Sequence, residues 1–322
     1  MSAALGEFGR IARYLAPLAA GAPGALGLTD DAALIEVAPG GRLVVTADAI
    51  VEGVHFLPED PPDLVARKLL RCNLSDLAAM GAVARFYVMT MALPKRCDDA
   101  WVERFAAGLA VDQAEFGIAL LGGDSVSTPG PITLTVTAFG RVAAGAEIRR
   151  SGARPGDIIY VSGTIGDGAL GLLAATGKLF GLDSRDRDYL ADRYRLPRPR
   201  MTLGPALAGI ATAMMDISDG LVGDLEHIAE ASGVAVVIDA SRLPLSTAAA
   251  TVLAEAVEHV ETVLTGGDDY ELLFTAPPDA VLPQIPDVPV TAIGRIEAGS
   301  GVRVLDRDGG DLPLTRRGFR HG

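Results

Sequence analysis

Apolar and polar positions along the chain keep two different rhythms. Period-two or continuous apolar runs predict strands at 42–48 (RLVVTAD), 85–94 (RFYVMTMALP), 118–124 (IALLGGD) and 131–142 (PITLTVTAFGRV). The same pattern returns at 158–163 (IIYVSG), 234–239 (VAVVID), 270–276 (YELLFTA) and 290–296 (VTAIGRI). Apolar residues at helical spacing predict helices over 62–81, 98–117, 167–176 and 204–214, and another after MDISDGL (215–221).

Between 141 and 157 (RVAAGAEIRRSGARPGD) the periodicity gives way to Gly, Ala, Arg and Pro, as in an interdomain linker. A boundary near 145 divides the chain into 1–145 and 146–322. Strands and helices interleave in both parts without regular βαβ spacing. The expected class is therefore mixed α/β (α+β) in two domains, not one doubly wound sheet.

Composition narrows the function classes. A 322-residue chain that is 49% hydrophobic and 21% charged can bury substantial cores. Its apolar runs stop at Arg85 or Pro94, short of the roughly 18 residues that span a bilayer. Glu7, Arg10 and Arg13 interrupt what a signal peptide needs as an apolar stretch, so the expectation is a cytoplasmic protein with no membrane partner. A formal charge of −13, with Lys68, Lys95 and Lys178 the only lysines, argues against nucleic acid as a partner. Cys72 and Cys97 have neither disulfide-framework nor zinc spacing.

Familiar nucleotide and hydrolase signatures are missing. The segment GLLAATGKL (171–179) has five residues between its glycines and Leu179 where a P-loop needs Ser or Thr, and it reads as a helix ending at Gly177. DRDGGD (306–311) lacks the glutamate of a calcium loop and reads as a turn. What recurs is an acidic corner after an apolar run: Asp30 and Asp31, Asp48, Asp76, Asp124, Asp216 and Asp219. One such corner is most simply a helix cap, with Ser218 or Asp219 accepting backbone N–H groups. Five make one site the better reading, and oxygen ligands of this kind suit Mg²⁺ and, through it, phosphate. Glycines in LLGGDS and TGGDDYE would let backbone approach a ligand.

EFGRIARYLAP, DDAALI, EGVHF, NLSDLAAMGA, LLGGD, RRSGARPGDIIYVSGTIGD, DISDGL and GGDDYELLF, taken in order, resemble the thiamine-monophosphate kinase family of the aminoimidazole-ribotide-synthetase-like ATP-binding superfamily. The resemblance implies an N-terminal sheet domain that binds ATP and Mg²⁺ and pairs in a homodimer. It also implies a C-terminal α/β domain that completes the active site, and no P-loop. The implied reaction is Mg²⁺-dependent, in-line transfer of the ATP γ-phosphoryl group to thiamine monophosphate, the last step of thiamine diphosphate synthesis.

By motif position, the resemblance makes Asp31, Thr46, Asp48, Asp76, Asp124, Asp216 and Asp219 metal ligands for several Mg²⁺ ions. Gly123, Asp124, Arg150 and Ser218 would face ATP, and His55, Asp268 and Phe319 the acceptor. No general base is assigned, because a phosphate acceptor is largely ionised at neutral pH. Asp268 stands where the family often has Glu, and RRGFRHG departs from its usual aromatic ending. The competing readings are another ATP-dependent enzyme of the superfamily and a non-catalytic Mg²⁺-nucleotide sensor. Selenide-using and hydrogenase-maturation relatives would be expected to carry a terminal cysteine, and neither Cys72 nor Cys97 is one.

Overall fold

The computed structural model describes residues 10–23, 25 and 39–319. Asp30 and Asp31 therefore lie outside the described residues. The chain divides into two compact units, one of residues 1–77 and 82–144 and the other of 78–81 and 145–322.

The first unit is built on a four-stranded sheet of order β1-β4-β2-β3, with β1 Gly41–Val51, β2 Val83–Leu93, β3 Ala119–Ser127 and β4 Thr133–Ala143. β4 is antiparallel to β1 and β2, while β3 runs parallel to β2 and needs a crossover helix. That crossover is α2, Asp99–Phe116, which Asp98 starts by accepting the Trp101 N–H at 2.9 Å and left-handed Gly117 stops. Helix α1, Pro62–Ala79, contributes Leu69, Leu70, Leu74 and Leu77, all fully buried at helical spacing.

Asp112 of α2 has no exposed side-chain surface and takes a bidentate fork from Arg71 (2.7 and 2.9 Å) and a further bond from Arg67 (2.8 Å), both of α1. Close approach also needs Gly108, where a Cβ would lie 2.2 Å from the Asp63 carbonyl oxygen.

The second unit holds a six-stranded mixed sheet of order β10-β7-β9-β5-β8-β6. Its strands are β5 Ile158–Ser162, β6 Ala213–Asp216, β7 Ala235–Asp239, β8 Leu272–Ala276, β9 Val290–Glu297 and β10 Gly301–Leu305. Alternation assigns residues to two cores. Ile159, Val161, Met215 and Leu273 pack with Leu170, Leu221, Leu225 and Ile228 on one face, while Tyr160, Met214, Leu272 and Phe274 pack with Leu203 and Leu207 on the other. With both faces covered, the strands read as unbroken apolar runs.

Helices of this unit are α3 Asp167–Ala175, α4 Ser184–Arg195, the single turn α5 Leu203–Ala206, α6 Leu221–Ser232, α7 Thr247–Glu255 and α8 His259–Thr265. The predicted helix over 204–214 is mostly absent. It ends after one turn, Gly209 takes φ +77°, and Ala213–Asp216 is strand β6. Burial of Met214 and Met215 on opposite faces overrides their helical propensity. The 171–179 segment is the end of α3, with Gly177 at φ +67°, and no phosphate loop.

Candidate functional site

In the first unit, Thr46 and Asp48 lie two apart on β1 and so share one sheet face, toward α1. The Thr46 hydroxyl donates to Asp76 Oδ2 on α1. Asn73, one turn earlier and fully buried, accepts the Asp48 N–H at 3.2 Å and donates to the Leu69 carbonyl at 3.0 Å. Sequence reasoning missed this residue. Its signal lay in NLSD, three positions before Asp76 and hence on the same helix face.

Asp124 is exposed on β3, and its Oδ1 accepts the Ser125 N–H at 2.8 Å. Register aligns Asp48 with Val136, Val136 with Met89 and Met89 with Gly123. Three strand steps of about 4.8 Å put Asp48 and Asp124 on the order of 10 Å or more apart. They cannot share one Mg²⁺, whose bonds are about 2.1 Å. Gly123 is demanded by the chain itself, since a Cβ there would stand 1.8 Å from the Met89 carbonyl oxygen. Gly122, by contrast, has open space.

His55 closes the turn after β1, donating its N–H to the Val51 carbonyl (2.9 Å) and accepting the Val51 N–H on Nδ1 (3.0 Å). A ring that accepts at Nδ1 is neutral there and carries its proton on Nε2, which is the edge it can offer as a donor.

In the second unit, Asp216 ends β6 and is 3% exposed, and Ile217–Gly220 lead into α6. Neither Ser218 nor Asp219 caps that helix. The cap position is Gly220, without a side-chain bond, and Asp224 in the first turn accepts the N–H groups of Ser218, Asp219 and Gly220 at 3.1, 3.2 and 3.2 Å. One carboxylate thus fixes three consecutive amides. Burial, with Asp216 and Asp219 nearby, pushes the Asp224 pKa up to about 8.

The GGDD loop is tied to this one. Asp268 N–H donates to the Ser218 carbonyl (2.9 Å), Tyr270 N–H to the Ile217 carbonyl (2.8 Å), and Ile217 N–H back to the Glu271 carbonyl (2.9 Å). A Cβ at Gly267 would lie 2.1 Å from the Ser218 oxygen, and one at Gly266 2.3 Å from Ala169 Cβ. These glycines permit loop–loop approach and leave no space there for a ligand. Asp268 and Tyr270 take φ +71° and +51°, a conformation that costs energy and is held by these bonds.

Behind Asp268 lie two acids the sequence reading did not single out. Asp269 is buried and accepts the N–H groups of Gly166 (2.7 Å) and Gly168 (2.9 Å). Burial raises its pKa to about 8 against those two bonds. Glu271, fully buried, accepts from Ser162 Oγ (2.6 Å), Arg193 (3.1 Å) and Arg200. Their signal was adjacency: in DDYE, carboxylates that turn inward brace the one that does not.

Arg150 is exposed, and its carbonyl accepts from Ser232 Oγ at 3.3 Å. Phe319 is 54% exposed, and its N–H donates to the Asp219 carbonyl at 2.8 Å.

Among the described residues, no group of three or more His, Cys, Asp or Glu takes up a metal-holding arrangement. The donors present are carboxylates and a threonine hydroxyl, the set Mg²⁺ accepts when water and phosphate oxygens complete its shell. Donor chemistry therefore fits the ion.

Residues 29–142 match the AIR synthase related protein N-terminal domain, and residues 154–307 its C-terminal domain. A thiamine-monophosphate kinase of Caulobacter vibrioides is 47% identical over 324 residues, covering 98% of this chain and 91% of the relative. A crystal structure of the thiamine-monophosphate kinase of Stenotrophomonas maltophilia K279a aligns with a TM-score of 0.78 and 42% identity over 88% of this chain and 91% of that one. AaThiL complexed with AMPPCP and TMP aligns with a TM-score of 0.79 and 33% identity over 91% of both chains. The chain belongs to the thiamine-monophosphate kinase family, built from the two AIR synthase related domains.

Proposed function

We propose that this protein transfers the γ-phosphoryl group of ATP to the phosphate of thiamine monophosphate in the presence of Mg²⁺, giving thiamine diphosphate and ADP. The observation that carries the reading is the match over 91% of both chains to a protein that holds an ATP analogue and TMP together. The oxygen-only donors within β1 and β3 and at the end of β6 support it.

Thr46, Asp48, Asp76 and Asp124 of the first unit and Asp216 and Asp219 of the second would hold the ions, as would Asp31, which lies outside the described residues. Held by these residues, Mg²⁺ would supply charge neutralisation for the phosphate oxygens. The chain's own share is positioning. Asn73 fixes the β1 edge at Asp48, and Asp224 fixes the amides of 218–220 around Ser218, which together with Gly123, Asp124 and Arg150 is assigned to ATP. Asp268, in its left-handed conformation, and neutral His55 are assigned to the acceptor. No side chain is needed as a general base.

The deciding experiment measures ADP release with ATP and Mg²⁺ against thiamine monophosphate, thiamine, an aminoimidazole ribotide and no acceptor, with the product weighed by mass spectrometry. Thiamine diphosphate formed only from thiamine monophosphate supports the reading. Turnover with a different acceptor alone overturns it.

A further inference from the structure

The end of the described chain is a strap, and each fastening can be named. Glu261 of α8 accepts three donors on Oε1: the Thr315 N–H (2.6 Å), the Thr315 hydroxyl (2.7 Å) and the Arg316 N–H (3.0 Å). Arg316 Nε donates to Thr265 Oγ1 at 3.0 Å, and Arg317 reaches the Val302 carbonyl at 3.1 Å. The strap then crosses the first turn of α6 with glycine against glycine. A Cβ on Gly223 would lie 3.2 Å from the Arg317 carbonyl oxygen, and one on Gly318 equally far from that of Asp219. One residue on, the Phe319 N–H bonds to the Asp219 carbonyl.

The strap therefore ends on the acidic loop with a large aromatic side chain still half in water. An aromatic face held beside carboxylates suits a flat, cationic heterocycle, which stacks on the ring while its phosphate reaches the cations. Glu261 itself lies in none of the acidic corners, and it is half-buried in the first turn of α8.

We infer that Glu261 is a positioning residue for the acceptor: it latches the strap at Thr315 and Arg316, and the latch sets where Phe319 stands over the Asp219 loop. The inference rests on the acceptor assignment proposed above. Without the carboxylate, three donors return to water, and the strap is left with its arginine contacts, Arg317 to Glu226 at 3.5 Å among them, the glycine crossing and the Phe319 N–H bond.

The full-length protein and its Glu261→Gln and Thr315→Val variants test this with two separate readouts. Trypsin reports the latch directly, because cleavage after Arg316 or Arg317 requires the strap to lift. Glu261→Gln should be trimmed about five- to tenfold faster, as for loss of a charged acceptor discounted for exposure. Steady-state kinetics should show the KM for thiamine monophosphate raised by a similar factor, with kcat and the ATP KM within about twofold. Thr315→Val should move both readouts the same way but less, and should add little in the double variant.

Unchanged trimming overturns the latch. Faster trimming with an unchanged acceptor KM overturns the positioning role. A wild-type protein that makes no thiamine diphosphate overturns the acceptor assignment and with it the role toward the acceptor, while the trypsin readout still decides the latch.

Discussion

At the scale of single residues, the acids fall into two kinds that the sequence spells alike. Asp48 and Asp124 within strands, Asp216 at a strand end and Asp219 in a loop are the ones assigned to the proposed chemistry, whereas Asp224, Asp269 and Glu271 turn inward and hold amides or guanidinium groups. The two kinds answer differently to neutralisation. Asp216→Asn should leave folding intact and lower kcat by about 10² or more, the scale for removing one preorganised charge. Near-normal turnover in the folded variant would remove Asp216 from the proposed site.

Asp269 should register in stability instead. Its folded pKa is raised to about 8 from 3.8, chiefly by burial, so the folded state holds the proton more tightly than the unfolded one. Its contribution is fully present below pH 3.8 and is lost as pH rises through about 8. Urea midpoints between pH 5 and 8.5 should fall further for the wild type than for Asp269→Asn, which cannot titrate. Parallel slopes would show that the two backbone donors hold Asp269 ionised.

At the scale of elements, the pair of helices against the first sheet depends on one buried ion cluster. Asp112 has no exposed side-chain surface, and Arg71 has 4%. Removing the carboxylate leaves two guanidinium groups without their shared acceptor, so Asp112→Ala should cost about 3 kcal/mol or more in chemical denaturation. A loss under about 1 kcal/mol would mean that Glu115, which also bonds Arg71 at 2.7 Å, replaces it.

Such elements were legible where burial and periodicity agree. The helix at Pro62–Ala79 and the strand at Val83–Leu93 follow the pattern within two residues at each end. Agreement failed in two ways. The polar sequence SRDRDYLADRYR hides α4, because its buried face includes Arg193, an ion-pair partner of Glu271. The helix-favouring AMM hides β6, which is apolar on both faces. The candidate site was legible as acidic corners, since those residues recur after apolar runs. Its braces showed only as neighbours of those corners: Asn73 and Asp269 bond amides far along the chain and Asp224 bonds amides four to six residues before it, and neither kind of bond leaves a period in the sequence.

At the scale of the whole molecule, β1 has its polarity reversed. Thr46 and Asp48 point toward α1, while Leu43, Val45, Ala47 and Ala49 on the alternate positions are exposed, Val45 by 53%. β1 is also an edge strand, and Val45 aligns with half-buried Phe139 of β4, so the outward face is apolar over both strands, while Phe86 on the next strand is packed against Ala19, Ala22 and Ala25. An apolar face of this kind on an edge strand of eleven residues is a pairing surface unless it is covered. The partner proposed for it is a second copy of this chain, in a homodimer formed through this sheet. Light scattering on the eluting protein should give twice the chain mass at micromolar concentration. Val45→Lys would place a charge with no counter-ion at that face and should shift the protein to the monomer or weaken the dimer at least tenfold, with its circular dichroism unchanged. A monomeric wild type, or a Val45→Lys dimer of undiminished stability, would move the interface away from β1 and leave its apolar face to be explained by a different partner.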